Sequence, residues 1–152
     1  MQTHENQSSS AVESTSSAHI KRYRVTEQWS DYEVTLEVDH SLLTDNRAQE
    51  INEFWSGHED RMADEDGDEV KAVIRLAGAR AVGMMLSDGW GGANFGTNNT
   101  EAGRIWSEQF REQEGWGGED ETPFGWCGIR IIAASAELPG FDEFTLEEVE
   151  DA

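Results

Sequence analysis

The sequence predicts an α+β fold: a small antiparallel sheet of about four strands with about three helices packed on one face, in the order ββαααββ. Three observations carry this expectation. Apolar residues recur at every second position through residues 20–38, then at steps of three and four through residues 44–114, and then form a short run near residue 130. The strands fall into two groups with the helices between them, whereas a parallel α/β sheet needs strands and helices to alternate. A length of 152 residues suits one domain, and 36% hydrophobic residues make a core that is adequate but lean.

The elements follow in order. Residues 1–19 are polar, with Val12 the only sizeable apolar side chain between Met1 and Ile20, so they read as a disordered tail that cannot repay its ordering entropy. Residues 20–152 read as a single acidic α+β domain. Tyr23 and Val25 alternate with Arg22, Arg24 and Thr26, and after Ser30-Asp31 the residues Tyr32, Val34, Leu36 and Val38 alternate with Glu33, Thr35, Glu37 and Asp39. That is a hairpin with one dry face and one wet face carrying Lys21/Arg22/Arg24 opposite Glu33/Glu37/Asp39. A first helix starts near Thr44 or Asp45 and carries Ala48, Ile51, Phe54, Trp55 and Met62, loosened midway by Gly57. Asp64-Glu65-Asp66-Gly67-Asp68-Glu69 reads as a turn. A second helix begins near Asp68, with Val70, Val73, Ile74, Ala77, Ala81, Met84 and Met85 facing inward and Asp68 and Glu69 at its positive end.

Beyond Ser87-Asp88-Gly89 a Gly/Asn-rich loop runs from Trp90 through Gly96, and a third helix over 100–114 carries Ala102, Ile105, Trp106 and Phe110. Trp126 to Ser135 reads as a buried strand, and Phe144, Leu146 and Val149 suggest a last edge strand.

Composition removes several function classes. With 32 Asp+Glu against 11 Lys+Arg, direct binding to nucleic acid or an anionic membrane surface is opposed by charge. No apolar run approaches the ~18 residues of a membrane span and the N-terminus lacks a secretory core, so a cytoplasmic location is expected. Cys127 is the one cysteine, which excludes an internal disulfide, and without a neighbouring base it reads as a buried thiol. The acidic turn fails as a calcium loop, because aligning Gly67 at the sixth position leaves Met62 and Val73 at the first and twelfth. His58-Glu59 fails as a zincin, since Met62 stands where the second histidine belongs. Gly89 to Asn94 lacks the third glycine of a dinucleotide loop. No catalytic residue, metal or cofactor is therefore expected.

One pattern exceeds background. Acid-Gly-Trp-Gly-Gly occurs at Asp88–Gly92 and again at Glu114–Gly118, and Gly125-Trp126 follows. On one reading glycine stops each helix while tryptophan folds back over the last turn. Alternatively the loops form a site, with Trp90, Trp116 and Trp126 as anchors and Asn94 as a hydrogen-bonding group.

Glu33–Asp39, Ile51–Trp55, Arg75–Arg80, Asp88–Trp90 and Glu114–Trp116 resemble a small uncharacterised bacterial family of the domain-of-unknown-function type, often carried on plasmids and integrative elements. The resemblance implies a bacterial accessory protein and supplies no catalytic residues. The expected function is non-enzymatic binding of a protein partner, with a basic partner the best match to the charge. Its extreme form is a nucleic-acid-mimicking inhibitor using Asp64, Asp66, Asp68 and Glu69. The alternative is a small-molecule-binding domain or an enzyme built on the Gly/Trp loops.

Overall fold

The structure, a computed structural model, describes residues 19–88 and 91–150. Of the expected tail, residues 1–18 lie outside the described residues, while the His19 carbonyl accepts the His40 N–H at 2.8 Å. The chain runs through β1 (Ile20–Thr26), β2 (Glu33–Asp39), α1 (Asp45–Phe54), α2 (His58–Asp64), α3 (Glu69–Asp88), β3 (Gly92–Phe95), α4 (Thr100–Glu112) and β4 (Ile129–Glu137). A single turn of 3-10 helix follows at Phe141–Glu143. The four strands form one antiparallel sheet in the order β1-β2-β4-β3. The class is α+β, as the periodicities imply.

The hairpin forms as its alternation requires. Arg22 lies opposite Glu37 and Tyr23 opposite Leu36. Lys21 pairs with Val38, so it belongs to the inward-facing parity and not to the wet face expected for it. The carboxylate of Glu27 closes the turn by accepting the N–H groups of Trp29 and Ser30 at 2.9 and 2.7 Å. Val34, Leu36 and Val38 on β2 and Ile129, Ile131 and Ala134 on β4 present the dry face. Against it lies α3, whose Val73, Ile74, Ala77, Ala81, Met84 and Met85 are all buried. Gly78 lets the helix approach β1 closely: a Cβ there would stand 2.4 Å from the Val25 Cβ.

The element order departs from ββαααββ in three places. The first expected helix is two. Gly57 adopts φ +83°, a conformation that a side chain resists, and ends the run as the N-cap of α2. The corner is held by Arg61, which donates to the carbonyls of Asn52, Trp55 and Ser56, and to the Asn52 side chain. Fully buried Asn52 in turn donates to Glu69 at 3.0 Å and to the His58 carbonyl at 3.2 Å, tying α1, α2 and α3 together.

The Gly/Asn-rich loop contains a strand, β3, which pairs Gly92–Phe95 with Ala134–Glu137. Its four residues are too few to show an alternation. The last edge strand is absent: residues 144–150 carry no regular structure. Both sides of β4 are already taken, one by β2 and the other by β3 and α4. Where β3 ends, α4 covers the open edge of β4. Ser107 Oγ accepts the Ile131 N–H at 2.8 Å and lies 3.1 Å from the Ile131 carbonyl, while Arg111 donates to the Ile129 carbonyl at 3.1 Å. Helix side chains thus complete the ladder that a fifth strand would otherwise have made.

Candidate functional site

The two loops singled out in the sequence meet different fates. Trp90 and Gly89 lie outside the described residues. Trp116 is fully buried, 4.6 Å from the Phe110 ring, which is where a tryptophan folded back over its own helix end should sit. Trp126 is half-buried. Gly117 packs flat on its ring, so close that a Cβ would fall 2.2 Å from it. Arg47 lies 4.7 Å above the same ring and donates to the Trp126 carbonyl at 2.8 Å. A shallow groove of about 330 Å³ remains between Trp126, Phe54, Ile51 and Gly115. Asn94 is elsewhere: it lies on β3 opposite Ser135, near the C-terminal end of β4, and donates to Glu137 at 2.8 Å. Trp126 precedes the N-terminal end of that strand, so the fold joins Trp116 to Trp126 but not to Asn94.

The acidic turn divides between structural and free carboxylates. Asp68 caps α3 by accepting the Lys71 N–H at 3.0 Å, and Glu69 accepts from Asn52. Arg75 bridges Asp64 and Glu65 at 3.0 and 2.7 Å. Asp66 stands exposed at the apex, with φ +57°. Among the described residues no three His, Cys, Asp or Glu groups converge as metal ligands.

One cleft was not foreseen. It encloses about 570 Å³ on the sheet face opposite α3, with α4 as one wall and the 119–123 loop as the other. Its floor is a charged row across three strands. Glu37 accepts from Arg22 on one side at 2.9 Å and from Arg130 on the other at 2.6 and 2.9 Å. Burial alone would raise the Glu37 carboxyl, but the hydrogen bonds from Arg130 and Arg22 outweigh it and hold the group below its usual range. Deeper in, buried Arg111 grips Glu119 with two bonds of 2.7 Å. The row could have been read from the hairpin alternation only once β4 was known to bring Arg130 beside Glu37. The guanidinium groups that line this cleft, those of Arg22, Arg104, Arg111 and Arg130, are each matched to a carboxylate.

Two further groups carry chemistry in principle. Burial pushes the Cys127 thiol up to about 11, so it is a poor nucleophile. Burial, and next Lys21, depress His40, whose ring nitrogen lies 2.7 Å from the Tyr23 hydroxyl. Trp29, which lies outside the repeated Gly-Trp motif, is 93% exposed at the hairpin tip. Its signal was its setting: Gln28 and Ser30 leave it nothing local to pack on.

Residues 33–146, three quarters of the chain, match the model of a family described as protein of unknown function (DUF2528). The chain belongs to that family. The family span takes in β2 through β4 and runs on to Leu146, so it includes the acidic turn and the cleft apart from Arg22 on β1. The relatives it matches include the lambda prophage-derived protein ea10 of Escherichia coli O6:H1 strain CFT073 and protein ea10 of Escherichia phage lambda. Each is 29% identical over 70 residues, which cover 46% of this chain and 56% of the relative. The chain thus spans about half the length of the curated relatives it matches. No solved structure matches it. Among the described residues no helix is long and apolar enough to cross a membrane.

Proposed function

We propose that this chain is a non-enzymatic accessory protein of a phage or related mobile element that binds a basic protein partner through the acidic side formed by α1, α2 and the turn after α2. The observation that supports this reading is how the cations are used. Nine of the eleven are engaged within the fold: Arg22, Arg24, Arg75, Arg104, Arg111 and Arg130 with carboxylates, Arg47 and Arg61 with backbone carbonyls, and Arg80 over the Trp55 ring at 3.8 Å. The sheet and α4 hold most of these pairs. On the other side Asp45, Glu50, Glu53, Glu59, Asp60, Asp64, Asp66 and Asp68 are exposed, and of these only Asp64 has a guanidinium partner.

Carboxylates on successive turns, such as Glu50 with Glu53 and Asp60 with Asp64, place negative charge in rows on one surface. Such a surface attracts a Lys/Arg groove and accelerates encounter with it. A protein that ordinarily holds a nucleic-acid backbone offers such a groove, and this is the form in which the chain would act as an inhibitor. The phage and prophage origin of these relatives agrees with an accessory role.

The test compares capture from an Escherichia coli lysate by the native chain and by a variant carrying Glu50→Gln, Glu53→Gln, Asp60→Asn and Asp66→Asn. These four side chains make no ion pair with Lys or Arg among the described residues. The native chain should retain a basic protein at low salt, the variant should lose it by about tenfold or more, and the difference should shrink as salt passes the ionic strength where screening acts within ~8 Å. Equal capture by both at low salt rejects the reading.

A further inference from the structure

The C-terminal segment contains a helix start that the structure does not use. In Phe144-Thr145-Leu146-Glu147-Glu148-Val149, Thr145 and Glu148 have the spacing of a reciprocal capping box, in which the hydroxyl takes one free N–H and the carboxylate another. Phe144 before the cap and Val149 four residues into the helix have the spacing of a hydrophobic staple. Glu147 and Glu148 stand where the helix dipole favours negative charge. Yet residues 144–150 carry no regular structure, and their apolar groups face solvent: Phe144 is 64% exposed, Leu146 100% and Val149 76%.

Physics explains the contradiction. A helix this short does not survive alone in water, because nucleation consumes more entropy than a few hydrogen bonds return. What would tip the balance is a surface that covers the apolar side. The neighbouring strand β4 does not provide one, since β2, β3 and α4 already occupy both of its sides. A second copy is opposed by the net charge of −21 on each chain. The flanking Asp142, Glu143, Glu147, Glu148 and Glu150 specify the complement instead.

We propose that residues 144–150 are a recognition segment that coils into a helix when it seats in an apolar groove rimmed by Lys and Arg on a partner protein. Leu146 and Val149, three residues apart on the helix, fill the groove together with Phe144 just before the cap, and the glutamates meet its rim, the mode in which an amphipathic helix reads a surface. This inference concerns a different surface from the acidic helices and does not depend on them.

The probe is a synthetic amphipathic peptide of leucines and lysines, whose leucine face is flanked by lysines. An all-lysine peptide of equal charge is the control. Nuclear magnetic resonance of the full chain should show helical Cα shifts appearing at residues 146–150 with the Leu/Lys peptide and not with the all-lysine one. The Leu/Lys peptide should bind about tenfold more tightly than the control. Leu146→Ser with Val149→Ser should abolish that preference without altering the melting temperature, because both side chains are exposed. Coil shifts at 146–150 while the peptide is bound, equal affinity for the two peptides, or no binding would each overturn the proposal. So would a concentration-dependent dimer, seen by sedimentation, that the same double variant abolishes. The proposal and the acidic-helix reading fail separately: the Glu50/Glu53/Asp60/Asp66 variant should still form the C-terminal helix.

Discussion

Glu37 lies on the wet side of the sheet by strand parity, yet the row Arg22–Glu37–Arg130 and the wall of α4 leave its side chain only 11% exposed. Replacing it with glutamine leaves two guanidiniums without their shared carboxylate. Both can turn partly to solvent, so the loss should be about 1–2 kcal/mol at neutral pH. The pH dependence has a definite sign. The folded carboxyl titrates below its ordinary value of 4.5, so its contribution is present above that value and is lost as pH falls through the folded one. Urea unfolding of the native chain and of Glu37→Gln should therefore differ at neutral pH and converge in acid; a gap that persists below both values contradicts the ion-pair account. Cys127 gives a second test at this scale. Its thiol should ignore Ellman's reagent in the native protein and react fully in urea, since burial removes both access and thiolate.

Among the elements, the contact of α3 with β1 and the cover of β4 by α4 are the most exposed to single changes. Gly78→Ala offers a better helix former by about 1 kcal/mol, but its Cβ would overlap Val25 at three atoms, and overpacking of this kind costs about 1–3 kcal/mol. Net destabilisation is expected, with recovery when Val25→Ala is added; stabilisation by the single change would mean that β1 yields easily. Ser107→Ala should strand the amide and carbonyl of Ile131 at a cost of about 1–3 kcal/mol and release the Ile131 amide to hydrogen exchange. The long periodic elements were legible because their faces are uniform: Val34/Leu36/Val38 in β2 and Val73 through Met85 in α3 need no partner to be recognised. β3 was not, since Gly92-Ala93-Asn94-Phe95 is a strand only because β4 offers it an edge. The C-terminal segment failed the other way: Phe144 and Leu146 alternate like a strand, but no edge of β4 was left. The cleft was illegible for the same non-local reason, since Glu37 and Arg130 stand 93 residues apart in the chain.

For the whole molecule, charge sets both behaviour and partner. A net −21 on a chain of 152 residues is self-repulsive, and most of the internal ion pairs that offset it lie on the sheet and α4, with Arg75 pairing Asp64 and Glu65 elsewhere. Raising salt from very low to physiological ionic strength should therefore increase the melting temperature, because repulsion is spread over many exposed carboxylates while the Glu37 side chain, only 11% exposed, keeps its pairs with Arg22 and Arg130. A flat or falling profile would mean that the pairs lose as much as the repulsion does. The proposed acidic surface and C-terminal segment would then both depend on a charge that the fold tolerates without strain.

The strand order β1-β2-β4-β3 also dictates a sequence of events in time. β2 can join β1 across a turn of a few residues as soon as both are made. Its other edge must wait for β4, with α1 to α4 and β3 lying between, and closing so long a loop carries an entropy penalty that grows with its length. During synthesis, the hairpin must persist with one bare edge until nearly all of the chain has emerged, the state in which unpaired strands find wrong neighbours. Glu33, Glu37 and Asp39 put charge along β2, which Arg22 and Arg24 offset in part within the hairpin and Arg130 offsets further when it arrives. The same glutamate that anchors the finished sheet would thus act earlier as a guard against premature pairing, and refolding should be limited by the late docking of β4.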